Sequence, residues 1–316
     1  MVKIDLITGF LGAGKTTFIK NYARYLLDQG ERICIIENDY GAVNIDMVML
    51  QDLLSENCNL EMIVGGDGKE AHRRRFRTKL ISMGMSGYTR VIIEPSGIYD
   101  VDEFFDVLYD EPLDRWYEIG SVISLVDAGA VFDLDDLRRY VFMSEIANAG
   151  KVVISKVSKD TDCDLIIQKV NEIMTEFGGR TFDAGKDFVA KNYDDYTAGD
   201  YEALRTCGYR HASYVKLPIE DKQFTPLFYF DPKMSRQELN KITKHLFEST
   251  KAGSVIRVKG FVDTGDGSQV EINATAEKTV VNDVVSSRNV LIIIGEKLNK
   301  EYINDIMKDK CSVVSL

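Results

Sequence analysis

The chain has no excess of positive charge and no long apolar run. Its 316 residues carry 39 Lys and Arg against 50 Asp and Glu, which gives a formal net charge of -11. Such a balance disfavours binding to nucleic acid or to an anionic membrane, because both present negative charge. No segment approaches the roughly 20 apolar residues of a membrane-spanning helix, and residues 1–7 lack the long apolar core of a secretion signal. We therefore expect neither nucleic acid nor a membrane as a partner.

Cysteine and histidine are scarce and scattered. The five cysteines form no Cys-x-x-Cys pair, and the three histidines do not cluster. The sequence therefore contains no sign of a zinc knuckle. Unpaired, dispersed cysteines fit a reducing compartment, so we predict a cytoplasmic protein.

Short apolar runs alternate with amphipathic stretches in the first half of the chain. The predicted strands cover residues 2–7, 32–36, 90–93, 121–126 and 151–154, and the predicted helices cover residues 16–29, 69–85, 128–148 and 162–177. Nearly continuous apolar strands joined by helices are typical of a mostly parallel sheet covered on both faces. The first half is therefore predicted to have an α/β fold.

The pattern changes after residue 178. Residues 183–206 are polar and acidic, and we interpret them as a connecting segment with short helices. Beyond it, the predicted strands cover residues 212–217, 255–262, 269–275, 290–294 and 312–315, the predicted helices cover residues 236–247 and 299–307, and a hairpin turn is predicted at 265–267. These patterns divide the chain into an α/β domain at 1–183, a linker at 184–208 and a smaller α+β domain at 209–316.

A glycine-rich loop stands between the first predicted strand and the first predicted helix. Residues 9–17 fit G-x-x-x-x-G-K-[ST], the P-loop pattern, in the strand–loop–helix context that a P-loop requires. Glycines let backbone amides turn inward, and these amides and the positive end of the helix hold phosphates. Lys15 should neutralise the β- and γ-phosphates, and the Thr16 hydroxyl should ligate Mg²⁺. The residues expected to contact a nucleoside triphosphate here are Gly12, Ala13, Gly14, Lys15, Thr16 and Thr17. A glycine-rich turn that binds nothing is the alternative, but a Lys-Thr pair in this context rarely arises by chance.

Acidic residues follow two further predicted strands. Glu37-Asn38-Asp39-Tyr40-Gly41 follows the second strand, with Asp46 a few residues on, and Glu94-Pro95-Ser96-Gly97 follows the third. Ligands of open α/β folds lie beyond the carboxyl ends of strands. We therefore predict that Asp39 and Glu94 help Thr16 to hold Mg²⁺, and that Lys15, Thr16 and Glu94 are the catalytic residues. The alternative is a solvated acidic loop.

The ordered set of motifs resembles the CobW-type P-loop GTPases, which are related to the urease and hydrogenase maturation GTPases of the CobW/HypB/UreG family. The matching segments are residues 9–17, 37–46, 94–97, 126–128, 257–261 and 288–295. The resemblance implies a P-loop nucleotide-binding domain followed by a CobW C-terminal-like domain. It also implies nucleotide-dependent assistance to a client metalloenzyme or cofactor protein.

The sequence departs from this family at its metal motif. The family carries Gly-Cys-x-Cys-Cys, whose thiolates bind the cargo metal, where this chain has Gly66-Asp67-Gly68-Lys69-Glu70. A lysine repels a divalent ion, and thiolate ligands for zinc or cobalt are lost. Cys58 lies upstream and alone. Asp67 and Glu70 could supply oxygen ligands, and a solvated loop is the alternative.

The guanine motif is altered as well. GTPases bind guanine with Asn-Lys-x-Asp, where this chain has Ser155-Lys156-Val157-Ser158. Lys156 can still pack on the base, but a serine cannot accept the two hydrogen bonds that a carboxylate accepts from guanine. Asp160 could substitute only after a loop shift. We therefore predict relaxed base specificity, with GTP or ATP as substrate.

These motifs together predict a slow nucleotide-hydrolysing switch, in which the loops at 37–46 and 65–75 change order with the γ-phosphate. A nucleotide-dependent scaffold with negligible hydrolysis and a small-molecule phosphotransferase are the alternatives. Residues 72–77, His-Arg-Arg-Arg-Phe-Arg, form a dense basic run. This run is either a solvated helix face or a contact for an anion or partner.

Overall fold

The computed structural model describes residues 1–39, 46–64, 69–95, 101–132, 134–212, 224–276, 278–284, 289–311 and 313–314. The chain forms two compact units, residues 1–217 and residues 218–316. Within the described residues, no helix is long and apolar enough to cross a membrane.

The first unit contains a parallel sheet of seven strands in the order β3-β2-β4-β1-β5-β6-β7. The strands are β1 (Val2–Thr8), β2 (Ile33–Asp39), β3 (Cys58–Val64), β4 (Arg90–Pro95), β5 (Tyr117–Asp127), β6 (Lys151–Ser155) and β7 (Phe188–Ala190). Every residue of β4 is buried, as expected for an apolar strand inside an α/β sheet. The predicted parallel α/β fold is confirmed.

Helices connect the strands of this sheet. They are α1 (Lys15–Asp28), α2 (Asp46–Leu50), α3 (Lys69–Met85), α4 (Val101–Tyr109), α5 (Leu113–Trp116), α6 (Asp136–Ile146), α7 (Cys163–Glu176) and α8 (Ala198–Arg205). The helix predicted at 128–148 is wrong in its first part, where a 3₁₀ turn at Ala130–Phe132 precedes α6. The core joins α1 to the sheet through large buried side chains such as Phe18, Ile19 and Leu26.

The segment at 184–208, which the sequence predicts to be a linker, is an integral part of the first unit. Its strand β7 pairs in parallel with β6. Its helix α8 buries Leu204 in the same core as α1. A polar composition concealed this role because β7 has only three residues at the edge of the sheet, and Leu204 is the one buried residue of α8.

The second unit contains an antiparallel sheet in the order β11-β10-β9-β12-β8-β13. Its elements are β8 (Phe224–Phe230), α9 (Arg236–Glu248), β9 (Ser254–Asp263), β10 (Gln269–Ala274), β11 (Thr279–Val284), β12 (Val290–Glu296), α10 (Lys300–Met307) and β13 (Val313–Val314). Side chains of α9 and α10 pack with the sheet in a separate core. The smaller C-terminal domain is thus confirmed as a mixture of helices and antiparallel strands.

The hairpin turn predicted at 265–267 joins β9 to β10, and Gly265 and Gly267 both have positive φ angles there. The sequence did not predict β8 and β11. The strand predicted at 212–217 lies almost wholly outside the described residues.

Candidate functional site

The glycine-rich loop connects β1 directly to α1, as its sequence predicts. Three of its glycines have φ angles that favour glycine, namely Gly9 at 138°, Gly12 at 83° and Gly14 at 86°. At Gly9 the constraint is also steric, because a Cβ atom there would lie 2.5 Å from the carbonyl oxygen of Leu125 in β5. Glycine at this position therefore lets the loop lie close against the neighbouring strand.

Two buried side chains from other elements hold the loop in place. The Gly9 amide donates to Glu145 Oε2 at 3.1 Å, and the Thr8 hydroxyl donates to the Glu145 carbonyl oxygen at 2.6 Å. At the other end of the loop, the Ser155 hydroxyl donates to the Ala13 carbonyl oxygen at 2.7 Å. Sequence analysis missed Glu145. Its only signal is one charged residue in the mostly apolar segment of α6 around it.

The N-terminus of α1 is suited to bind an anion. Its N-cap residue, Gly14, has no side chain that could hydrogen-bond to the amides of the first helical turn. Lys15, which is 6% exposed, donates from Nζ to the Gly9 carbonyl oxygen at 2.8 Å. Unused first-turn amides, the helix dipole and a buried ammonium group together favour negative charge at this place. This arrangement fits a polyphosphate group.

Oxygen ligands for a divalent cation lie next to Lys15. Thr16 Oγ1 donates to Glu94 Oε1 at 3.2 Å, and both residues are buried. Glu94 is in register with Glu37 on the neighbouring strand β2, which brings a second buried carboxylate to the same edge of the sheet. A hydroxyl and carboxylates are ligands that Mg²⁺ prefers. The donor set therefore fits Mg²⁺.

The other predicted cation ligands are described less fully. Asp39 is the last residue of β2, but its side chain, like that of Asp46, lies outside the described part of the chain. Glu70 is exposed on the first turn of α3, and Asp67 falls outside the described residues. Among the described residues, no group of three His, Cys, Asp or Glu side chains could hold a metal ion.

The cysteines near this part of the sheet are core residues. Burial raises the pKa of Cys58 to about 11 and that of Cys34 to about 12, so both thiols are protonated at neutral pH. Metal ions bind the thiolate form of cysteine. Neither residue is therefore suited to replace the missing cysteine motif.

The ends of β5 and β6 carry a charged pair beside the loop. Lys156 follows β6 directly with a φ angle of 57°, and its ammonium group forms an ion pair with Asp127 at the end of β5. Asp127 also accepts a hydrogen bond from the Gly129 amide at 3.0 Å. Lys156 thus lies at the strand ends next to the loop.

Ser158 is engaged in its own turn. Its amide donates to Thr161 Oγ1 at 2.8 Å, and its hydroxyl lies 3.1 Å from the same atom. The Asp160 amide donates to the Ser158 hydroxyl at 3.3 Å. This side chain therefore stabilises the loop after β6.

A buried hydrogen bond joins the end of β2 to the first turn of α3. His72 Nε2 lies 2.6 Å from Asn38 Oδ1, and both residues are at most 1% exposed. Sequence analysis placed His72 in a basic run and missed this contact, because the two residues are 34 positions apart.

The comparisons with known proteins agree with this geometry. The family model described as "CobW/HypB/UreG, nucleotide-binding domain" matches residues 3–179. The chain is 27% identical over 162 residues to the zinc chaperone YeiR of Escherichia coli K12. That alignment covers 51% of this chain and 48% of YeiR. It is also 25% identical over 189 residues to the zinc chaperone YjiA of the same organism. That alignment covers 57% of this chain and 55% of YjiA.

The matched part of the chain thus spans about half the length of these two relatives. A crystal structure of the Zn(II)-bound YjiA GTPase from E. coli aligns over 98% of both chains, with 18% sequence identity and a TM-score of 0.42. The family model covers more than half of the 316 residues. The chain therefore belongs to the CobW/HypB/UreG family.

Proposed function

We propose that this protein is a slow nucleoside triphosphate hydrolase that acts as a switch, with relaxed preference between GTP and ATP. The observation that carries the proposal is the position of the Lys15 ammonium group beside the paired Thr16 and Glu94, at the uncapped N-terminus of α1. Membership of a nucleotide-binding family supports it.

The residues of the loop provide charge stabilisation. Lys15 would leave the Gly9 carbonyl oxygen to neutralise the β- and γ-phosphates, while the loop amides bind their oxygens. Thr16, with Glu94 and Asp39, would hold Mg²⁺, which neutralises charge on the phosphates when bound. Glu94 orients the Thr16 hydroxyl through their hydrogen bond.

The state of Ser158 supports relaxed base specificity. Its hydroxyl is used inside the turn with Thr161 and Asp160, and it carries no charge to accept two hydrogen bonds from guanine. Losing such a charged contact weakens binding by about 1.5–3 kcal/mol per hydrogen bond. In competition binding, we expect GTP to be preferred over ATP by less than about a hundredfold. A larger preference would contradict this part of the proposal.

The buried Asn38–His72 contact supports a switch. It connects the end of β2, which precedes the first acidic loop, to the first turn of α3. A change in the position of one of these elements near the phosphates would therefore shift the other as well. The names of YeiR and YjiA, both zinc chaperones, support delivery of a metal or cofactor to a client metalloenzyme or cofactor protein as the purpose of the switch.

A turnover assay with Mg²⁺ tests the proposal. Phosphate release from GTP and ATP should be slow in the wild type and at least about a hundredfold slower in Lys15→Ala, because the main positive charge facing the transferred phosphoryl group is removed. Lys169→Ala is the matched control, since Lys169 forms a surface pair with Glu172 on α7, and it should keep wild-type turnover.

The same assay separates the two alternatives. Tight nucleotide binding without measurable turnover would favour a scaffold over a hydrolase. Nucleotide consumption that depends on an added small molecule, with a phosphorylated product, would favour a phosphotransferase. Equal turnover in the wild type and Lys15→Ala would contradict the proposed site.

A further inference from the structure

The segment after β7 carries a row of packed aromatic rings. Tyr193 lies in a 3₁₀ turn at Tyr193–Asp195, which Asn192 caps through the Asp194 amide at 3.2 Å. The ring of Tyr193 packs against Phe18 of α1, with centroids 6.3 Å apart. The ring of Tyr196 packs against that of Tyr193, with centroids 5.5 Å apart, and against that of Tyr201, with centroids 5.3 Å apart. These rings fix the turn against the helix that follows the glycine-rich loop.

Two hydroxyls in this row are buried without a hydrogen bond. The oxygens of Tyr193 and Tyr196 find no hydrogen-bond partner among the described residues. A buried hydroxyl without a partner destabilises a fold. Because such unpaired groups are rare in native proteins, each of these two oxygens is a candidate to bind a ligand.

The Tyr193 hydroxyl lies at the glycine-rich loop. A Cβ atom placed on Gly14 would be 3.8 Å from the Tyr193 oxygen. Apart from atoms of residues 13 and 15, no other described atom would lie within 4 Å of that Cβ. Asp127 also interacts electrostatically with Tyr193, whereas the electrostatic neighbours of Tyr196 are Tyr201 and Asp200 of α8. The Tyr193 hydroxyl therefore lies beside the glycine-rich loop, within electrostatic reach of the Asp127 carboxylate.

The sheet order shows which part of a nucleotide Tyr193 would meet. Strands β1, β5, β6 and β7 are neighbours in this order. Their carboxyl ends lead to the glycine-rich loop, Asp127, Lys156 and Tyr193 respectively. In open α/β sheets, ligands lie along this edge. A nucleotide with its phosphates on the loop can extend its nucleoside along the edge toward Lys156 and Tyr193.

We propose that the Tyr193 hydroxyl hydrogen-bonds to the nucleoside part of the bound nucleotide. This inference rests on the proposed nucleotide binding and assigns a residue that contributes to its affinity. The oxygen lies beside Gly14, so a small adjustment of the loop as Lys15 turns from Gly9 to the phosphates would bring it to the nucleoside. A phenol both donates and accepts hydrogen bonds. It can therefore serve guanosine and adenosine alike, unlike the carboxylate that Ser158 replaces.

The test compares Tyr193→Phe with Tyr196→Phe, which makes the same change in the same row of rings. Calorimetry with Mg²⁺ measures the binding of GTP, ATP and inorganic tripolyphosphate, which has phosphates but no nucleoside. We expect Tyr193→Phe to bind both nucleotides about 5- to 20-fold more weakly and tripolyphosphate as the wild type does. Tyr196→Phe should bind all three ligands normally. Both variants should melt at or above the wild-type temperature, because each loses an unpaired buried hydroxyl.

Three outcomes would overturn the assignment of Tyr193. They are wild-type nucleotide affinity in Tyr193→Phe, an equal loss of tripolyphosphate affinity, and an equal loss of nucleotide affinity in Tyr196→Phe. If the wild-type chain bound neither nucleotide, the proposed function itself would fail. If the wild type bound nucleotide and Tyr193→Phe bound it equally well, only the role of Tyr193 would be rejected.

Discussion

Asp5 is a fully buried carboxylate in β1, away from the glycine-rich loop. Arg90 donates from Nη1 to both of its oxygens at 2.7 Å, Tyr22 donates at 2.8 Å and the Ser121 amide donates at 2.9 Å. These contacts join β1, β4, β5 and α1 below the site. Burial raises the pKa of Asp5, and the neighbouring Arg90 acts against this rise.

Replacing Arg90 with methionine should destabilise the first unit strongly. The Asp5 carboxylate would remain buried without its cation, which typically costs about 3–5 kcal/mol. The pKa of Asp5 would rise further above its unfolded value, so the folded variant would take up a proton. The stability of Arg90→Met should therefore fall as the pH rises from about 5 to about 8, because the folded state then binds more protons than the unfolded state. Urea unfolding across this pH range measures both effects.

Arg24→Met is the control for this prediction. Arg24 forms an exposed pair with Asp52 on the surface, and such pairs contribute about 0–1 kcal/mol. If both variants lost the same small amount of stability, the buried network would not carry the role assigned to it.

Individual residues were predictable from sequence only where a local motif contains them. Lys15 and Thr16 lie in such a motif, and the structure brings both together with Glu94. Glu145 and Tyr193, by contrast, reach the glycine-rich loop through contacts across more than a hundred residues. No local spacing encodes such contacts, because they depend on which strand ends meet at one edge of the sheet.

At the scale of elements, the interior strands of the parallel sheet were predictable from sequence and its edge strands were not. Strands β1, β4, β5 and β6 are buried on both faces, so each contains a nearly continuous apolar run. The edge strands β3, β7 and β11 are only partly buried and mix polar residues with apolar ones. Partial exposure weakens the hydrophobic pattern, because a side chain on the solvent-exposed face of a strand can be polar or apolar.

Helix α8 begins with a capping box that should contribute to stability in a pH-dependent way. Asp200 accepts hydrogen bonds from Lys191 at 2.7 Å and from the Thr197 amide at 2.8 Å. The Lys191 contact, followed by those from Thr197, lowers the pKa of Asp200 to about 2. A carboxyl group with a lowered folded pKa stabilises the protein above its unfolded pKa, and this stabilisation is lost as the pH falls through the folded pKa.

We therefore expect Asp200→Asn to lower the free energy of unfolding by about 1 kcal/mol at pH 7. The difference in stability from the wild type should shrink as the pH falls from about 4.5 to about 3. In this range Asp200 becomes protonated in the unfolded wild type while it stays ionised in the folded wild type, which favours unfolding. Denaturant titrations at several pH values measure this difference. The exposed Asp195→Asn serves as the control and should differ little from the wild type, and a loss in Asp200→Asn that stays constant down to pH 3 would argue against the ionic origin.

For the whole molecule, each unit has a hydrophobic core of its own. A fragment of residues 1–217 should therefore unfold cooperatively on heating and bind nucleotide within about twofold of the full chain. A fragment of residues 1–183 should not, because it lacks β7 and the buried Leu204 of α8. Circular dichroism and calorimetry check both fragments. Cooperative unfolding of the shorter fragment would support the domain boundary predicted from sequence composition instead.

The attachment of Gly9 has a further consequence for nucleotide exchange. This residue is held on one side by Glu145 and lies on the other side against the Leu125 carbonyl, with no room for a side chain. The start of the loop is therefore fixed, and any adjustment that the proposed nucleotide binding requires would fall between Gly9 and the Ala13 carbonyl oxygen that Ser155 holds. Under the proposed function, we therefore expect nucleotide binding and release to leave the pairing of β1 with β4 and β5 intact.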